Sequence, residues 1–416
     1  MIHLNKAIQL KKQAYITRDI ERALGLGLDV PGFVIISNNT PFAKQIQQQA
    51  KQSNIILVEK DDENLLDTWQ LLEHPTTIDA LQAENITDII VFKPTQKIER
   101  ICEKQSWQML NPSATLSDTI EEKISQVAWL DELTTYLPNH QITLCKNIVW
   151  NFEPFILQFN RAHTGSGTHF ITSKKQLETL QEKFPERPVR ISAYIEGPMF
   201  TNNNVVTKSD ILIGSINYQI TGMEPFTNQP FATVGNDWGL PKKILNYAQQ
   251  SKFKEIAHAV GKKLQADGWR GAFGIDIALE EKTGELYLIE INARQPASVS
   301  FESQLQSSMK TKKQEQSLTT AEAHMAALLQ KELPNAKLIP IDDGAQIILR
   351  NNENQKISAQ TVVSHLQTEK RLTLIPYTNT KTGTDLLRIQ SRESIMSTHT
   401  VWNPRGETIA HIIKTS

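Results

Sequence analysis

Residues 271–294 read GAFGIDIALEEKTGELYLIEINAR, two apolar runs around a turn rich in Glu, Lys, Thr and Gly. That pattern predicts a β-hairpin. With the turn centred on Thr283, Asp276 and Glu290 lie directly opposite each other on neighbouring strands. The separations from Glu290 to Asn292 and to Arg294 are even, so all four residues share one face of a regular strand pair. Ile275, Ile277, Tyr287, Ile289 and Ile291 then form the core face. Like charges directly opposite each other destabilise paired strands, and a cation between the carboxylates removes the conflict. Two carboxylates and an amide oxygen are hard ligands that suit Mg²⁺. Arg294 adds a planar donor fork for a carboxylate or phosphate. A surface hairpin with scattered charges is the competing reading of the same spacing.

At 416 residues the chain has room for several domains. Its 44 basic and 45 acidic side chains leave a net charge of −1, which argues against bulk attraction to nucleic acid or an anionic membrane. Cys102 and Cys145 cannot build a disulfide framework and fit no zinc spacing. A reducing cytoplasm is the expected compartment. The first residues, MIHLNKAIQLKKQ, lack the apolar segment of a signal peptide. No run approaches the roughly 20 apolar residues that cross a bilayer.

Along residues 1–112 strands alternate with helices, which predicts a parallel α/β domain. Residues 1–30 read as a helix, and strands are expected at Phe33–Ser37, Ile55–Val58 and Ile89–Phe92. No G-x-G-x-x-G follows the first of these strands, so a dinucleotide fingerprint is absent. From Asn111 the chain reads as helical, and Lys123 taken alone suits a solvated helix face. Phe155–Leu157 leads into Thr164-Gly165-Ser166-Gly167-Thr168 and a second strand. Small residues there let backbone N–H groups cradle phosphate oxygens, and an ordinary flexible hairpin loop has the same composition. Strands follow at Val189–Tyr194, Val205–Thr207 and Ile211–Ile220, and 221–239 reads as loop. Pro241–Ala266 has helical periodicity. His324 sits on a helix without a second metal-ligating partner and reads as structural or surface. Past 334 the segments GAQIILR, TVVSHLQ, LTLIPY, DLLRIQS and ETIAHII read as short strands of a compact β-rich unit.

The hairpin together with its upstream order resembles the ATP-grasp superfamily. The resemblance rests on GWRGAFGID…LYLIEINAR, on Glu122-Lys123, on FILQFNRAHTGSGTHFI and on Y-I-E-G at Tyr194–Gly197. It implies an α/β and α+β multidomain fold: an N-terminal parallel α/β domain over 1–112, an ATP-grasp core over 113–333 with lobes at about 113–195 and 196–333, and a β-rich domain over 334–416. It implies ATP and two Mg²⁺ ions as cofactors, with Mn²⁺ able to substitute. Asp276, Glu290 and Asn292 resemble the metal ligands. Arg294 resembles the anchor for an acyl phosphate or substrate carboxylate, and Lys123 the lysine that reaches the ATP phosphates. Gly165, Ser166, Gly167 and Thr168 match the loop that closes over those phosphates. Ser192, Ala193, Tyr194 and Ile195 match the adenine-binding segment between lobes. One departure stands out. The strand before the glycine-rich loop usually carries a lysine, and here it carries Gln158, with Arg161 and His163 as nearby substitutes.

The implied activity is an ATP-dependent carboxylate–amine ligase that forms an amide through an acyl phosphate. Its partners are small-molecule carboxylates and amines, and a homodimer is the assembly such relatives often adopt. Two alternatives remain. A biotin-carboxylase-like enzyme needs a glutamate soon after Arg294, where QPASVSFE has Ser298 and only later Glu302. A non-catalytic ATP-binding subunit is favoured by Gln158.

Overall fold

The computed structural model describes residues 11–52, 54–59, 64–160, 167–310, 317–351, 358–377 and 383–416. The N-terminal sheet is parallel and five-stranded, in the order β3-β2-β1-β4-β5. Its strands are β1 (Gln13–Ile16), β2 (Phe33–Asn38), β3 (Ile55–Val58), β4 (Asp88–Val91) and β5 (Gln108–Met109). β2, β3 and β4 lie where the apolar runs place them. β1 corrects the expected N-terminal helix. QAYI is wholly buried and pairs with both β2 and β4, because a central parallel strand needs only a short run covered on both faces. Residues 1–10 lie outside the described residues.

The segment after Asn111 is not one helix. A helix over Ala114–Glu121 is capped by Ser113, whose hydroxyl accepts from the Leu116 N–H. The chain breaks at Glu122 and resumes helix at Ser125–Leu130. Lys123 therefore sits in a break, not on a solvated helix face. A four-stranded antiparallel sheet follows, ordered β6-β9-β7-β8, from β6 (His140–Leu144), β7 (Phe155–Phe159), β8 (Thr168–Ile171) and β9 (Pro188–Ala193).

The largest sheet has nine strands. It begins with β10 (Met199–Val206), β11 (Ile211–Leu212), β12 (Asn217–Thr221) and β13 (Thr233–Asp237). β13 corrects the loop expected over 221–239: TVGND is short and flanked by turn formers, yet it pairs β12 on one side and a C-terminal strand on the other. The hairpin strands are β14 (Gly271–Leu279) and β15 (Leu286–Asn292), and β16 (Ser317–Leu318) and β17 (Lys337–Leu338) form a separate small pair. β18 (Ala345–Arg350), β19 (Leu372–Pro376) and β20 (Asp385–Ser391) complete the large sheet in the order β15-β14-β10-β12-β13-β18-β20-β19, with β11 paired to β10 off this path. The C-terminal strands thus continue the sheet that carries the hairpin. Two of the segments expected there as strands are helices, Ala359–Leu366 and Pro404–Thr415. Their β-branched residues suggest strand, but Val362 and Leu366, and Ile409 and Ile413, are buried at helical spacing.

The hairpin register matches the even spacing: Asp276 faces Glu290 and Gly274 faces Asn292. A bulge between Asp276 and Ile277 then pairs Ile277 with Leu288. One extra residue on β15 changes the phase of its side chains. Leu288 is fully buried where Tyr287 and Ile289 were expected, and the latter two are half-buried. The core face of the hairpin packs on the helix Tyr247–Ala266 through Phe253, Ile256, Val260 and Leu264. Each such buried side chain contributes roughly 1.5–3 kcal/mol. The opposite face is left polar, and it is the face that bears Asp276.

β14 is pinned at its start by His324, which lies on the helix Thr320–Leu328 and whose Nδ1 accepts from the Ala272 N–H at 2.9 Å. Gly271 makes room for it: its φ is +95°, and a Cβ there would lie 2.7 Å from that ring nitrogen. Burial lowers the His324 pKa to about 4. A depressed histidine contributes stability above its unfolded value near 6.5 and loses it as pH falls. The contribution of this residue, roughly 3 kcal/mol, is therefore expected to disappear between about pH 6.5 and 4. Denaturant melts across that range should be flatter for His324→Gln, which keeps an acceptor for Ala272 without the titration. An unchanged pH slope would contradict this role.

Candidate active site

Each carboxylate of the hairpin has its own surroundings. Asp276 is nearly enclosed and takes side-chain hydrogen bonds from Thr201 and Gln219, on β10 and β12. Burial, and next the charge of Glu290, push its carboxyl up to about 6. For Glu290 burial opposes ionisation, but the attraction of Lys123, joined by Arg294 and Arg190, wins and holds its pKa low. Lys123 Nζ lies 2.8 Å from Glu290 Oε1, and 37% of the Glu290 side chain remains exposed. The site is thus closed behind Asp276 and open beside Glu290. Asn292 Nδ2 lies 3.4 Å from Asp276 Oδ2, so all three expected ligands converge. Turning that amide over presents its oxygen to the same place.

Arg294 donates to Glu121, at the end of the helix Ala114–Glu121, and Lys93 donates to the same carboxylate at 2.6 Å. Burial opposes the charge of Arg294, but Glu121 and Glu290 offset this and raise its pKa. The Ser117 hydroxyl donates to Ala293 O at 2.6 Å, fixing the strand end against that helix. The break that carries Lys123 follows directly, so one short segment places both Glu121 and Lys123 at the hairpin.

Of the glycine-rich loop, Arg161, His163, Gly165 and Ser166 lie outside the described residues. Gly167 O accepts from the Phe159 N–H at 2.9 Å, and Thr168 Oγ1 accepts from Gln158 Nε2 at 3.2 Å. Gln158 faces Arg190 across β7 and β9. Its Oε1 accepts from Arg190 Nε at 3.0 Å and Nη2 at 2.6 Å, while Arg190 Nη1 donates to Gln126 at 3.3 Å. Arg190 and Gln126 were not singled out from sequence. The available signal was a charged residue in the middle of the strand PVRISA.

Ser192 and Ala193 end β9, with Ser192 paired to both His140 and Ile156. Tyr194 and Ile195 continue beyond the strand. The Tyr194 ring lies 4.4 Å from that of Phe170 and 6.3 Å from that of Phe231. Tyr194 and Phe231 are exposed, leaving an open aromatic patch suited to a planar ring.

A polar row leads away from Asp276 across the sheet. Asn236 donates to Asn217 at 2.8 Å, Gln346 to Asn236 at 3.0 Å and Arg388 to Gln346 at 3.2 Å. Arg388 Nε also donates to the Tyr377 hydroxyl, which donates to Glu21 of the N-terminal unit. The alternation of Asn217 and Gln219 with buried Tyr218 and Ile220 was the sequence signal for this face.

Residues 120–298 match the ATP-grasp domain family. Among solved structures, the chain is similar to carboxyaminoimidazole ribonucleotide synthase from Aspergillus clavatus complexed with ATP, at 15% identity and a TM-score of 0.64, covering 97% of this chain and 98% of that one. The N5-carboxyaminoimidazole synthetase from Staphylococcus aureus complexed with ADP matches at 12% identity and a TM-score of 0.64, over 98% and 99% of the two chains. L-amino acid ligase from Bacillus licheniformis matches at 13% identity and a TM-score of 0.61, over 97% of each. At these identities the likeness is one of fold. No curated protein matches the sequence.

The opposed carboxylates carry a stability prediction. A carboxyl with a raised pKa stabilises the fold in its protonated form, and that contribution is lost as pH rises through about 6. Ionised Asp276 is therefore a cost at neutral pH. Asp276→Asn is expected to stabilise the metal-free protein at pH 7 by roughly 1–3 kcal/mol in denaturant melts. A destabilised variant would contradict the assignment.

Proposed function

From the ATP-grasp domain that residues 120–298 form, we propose that the protein is an ATP-dependent carboxylate–amine ligase. The observation that carries this reading is the direct opposition of Asp276 and Glu290, with Lys123 drawn onto Glu290. The hard oxygens of Asp276, Glu290 and Asn292 suit Mg²⁺, which when bound neutralises the triphosphate and aligns its γ-phosphoryl group. Lys123 has the reach to follow charge from Glu290 to the phosphates. By the family resemblance the N–H groups of Gly167 and Thr168 would meet the phosphates, and the exposed rings of Tyr194 and Phe231 offer the adenine a planar surface. These fixed donors stabilise charge that spreads over the transferred group.

The reaction proceeds in two steps. A substrate carboxylate oxygen attacks the γ-phosphorus, the bond to the β-phosphate oxygen breaks, and ADP leaves with an acyl phosphate formed. An amine nitrogen then attacks the acyl carbon, phosphate leaves, and the amine proton is lost as the amide forms. By the family resemblance Arg294, which pairs with Glu121, would hold the carboxylate and then the acyl phosphate. The polar row through Asn217, Asn236 and Gln346 supplies neutral donors and acceptors for the second substrate. That the A. clavatus structure holds ATP supports the nucleotide, and the B. licheniformis enzyme supports the ligase class. Cytoplasmic placement belongs to the same proposal and rests on the two free, buried cysteines. Among the described residues no helix is long and apolar enough to cross a membrane.

Glu302 argues against the biotin-carboxylase-like alternative. Both its oxygens are occupied, by Thr320 at 2.6 Å and by Asn203 at 2.6 Å, and it is wholly buried. Purified protein is expected to turn over Mg·ATP to ADP continuously only when a suitable carboxylate and amine are both present, the carboxylate alone giving at most about one ADP per site. Product mass identifies the pair in a panel that includes bicarbonate. Glu290→Gln should lower turnover by about 100-fold or more. ATP binding without ADP release across the panel would reject the ligase reading in favour of a nucleotide-binding subunit.

A further inference from the structure

We propose that Arg190 is a phosphate-binding cation of this site, and that Gln158 is present to position it. The inference rests on the ligase reading and assigns the polyphosphate of ATP as the ligand.

Arg190 lies in the middle of β9 and is only 4% exposed. Three of its N–H groups are satisfied by the amide oxygens of Gln158 and Gln126. A guanidinium has five such donors, so two remain. Both partners are neutral, and among the described residues Arg190 makes no ion pair within 4.0 Å. Burying an unpaired charge is costly, and burial does lower the pKa of Arg190, to about 10. Among the described residues the one acidic group that favours its charge is Glu290, across the site. Glu290 is already committed to Lys123. A buried cation with neutral neighbours, spare donors and a carboxylate only at a distance is arranged for an anion that arrives from outside. An anion between β9 and the hairpin lies where Mg²⁺ on Asp276 and Glu290 would place the phosphates.

Gln158 acquires a role in this arrangement. Its single oxygen takes both Nε and Nη2 of Arg190, which fixes the plane of the fork, while its nitrogen holds Thr168 at the end of the glycine-rich loop. A lysine at 158 would set an ammonium directly opposite the guanidinium on the neighbouring strand, and like charges so placed repel. A cation at 190 therefore requires a neutral acceptor at 158. The positive charge is relocated by one strand.

Nucleotide titrations in Mg²⁺ test this, with ATP, ADP and AMP as probes. Arg190→Gln is expected to weaken ATP and ADP by about 10- to 100-fold, the range for losing a charge-assisted hydrogen bond. AMP, which lacks the outer phosphates, should change by less than about 3-fold. The double variant Gln158→Lys/Arg190→Gln puts the cation on the other strand and should recover the preference for ATP over AMP. Equal losses for all three nucleotides, or none, would overturn the role of Arg190. Should Arg190→Gln fail to fold, the double variant decides: if it is folded but shows no preference for ATP over AMP, the proposal falls. If the wild-type protein binds no nucleotide, the ligase reading itself falls, which is a separate outcome from a folded Arg190→Gln that binds ADP like the wild type.

Discussion

Asp276 and Glu290 stand opposite each other on adjacent strands, and the surrounding structure is organised to make that tolerable. Sheet pairing fixes the two Cα atoms, so only rotation of the side chains can separate the carboxylates. Thr201 and Gln219 donate to Asp276, while Lys123 and the arginines around Glu290 keep that group ionised. These neighbours come from three different regions. The break after Glu121 supplies Lys123, the small antiparallel sheet supplies Arg190, and the large sheet supplies the two hydrogen-bond donors. The charge conflict is thus shared across parts of the chain far apart in sequence.

The same strands divide labour between their faces. Phe273, Ile275, Ile277 and Leu288 pack against the long helix, and the reverse side carries Asp276, Thr201, Asn217, Gln219, Asn236 and Gln346. Pairing of β13 with β18 joins the C-terminal strands to this sheet, so the polar row reaches Arg388, Tyr377 and finally Glu21. A substrate lying on the row would touch strands from both sides of that joint. The N-terminal unit is connected to the same surface by the Tyr377–Glu21 bond and, near the hairpin, by Tyr15 donating to Gln295.

What was legible in the sequence follows from which signals are local. The opposition of Asp276 and Glu290 could be read because an even separation across one turn fixes both pairing and facing. The bulge beside them could not, since an extra residue on one strand leaves no compositional mark. It moved Leu288 into the core in place of Tyr287 and Ile289 without disturbing the polar side. β1 and β13 were missed because QAYI and TVGND are short and are strands only by virtue of two neighbours each. The helices Ala359–Leu366 and Pro404–Thr415 were misread because β-branched composition outweighed a buried spacing of three to four residues. Lys123 looked solvated because its partner Glu290 is remote in sequence.

Gln158 illustrates how a single position misleads when it is read without its cross-strand partner. Viewed along β7 alone, an amide where a cation is expected suggests a weakened phosphate site. Viewed across the sheet, the residue opposite is Arg190, and the amide is the acceptor that a buried guanidinium needs in order to stay there. A carboxylate at 158 would satisfy the same donors but would also cancel their charge, leaving nothing for an incoming anion. A lysine would repel them. Among residues of that length, an amide alone fixes the fork while leaving its charge unspent. The pair is therefore better treated as one unit whose net charge faces Glu290 across the site, and the register of β7 with β9 is what makes it so.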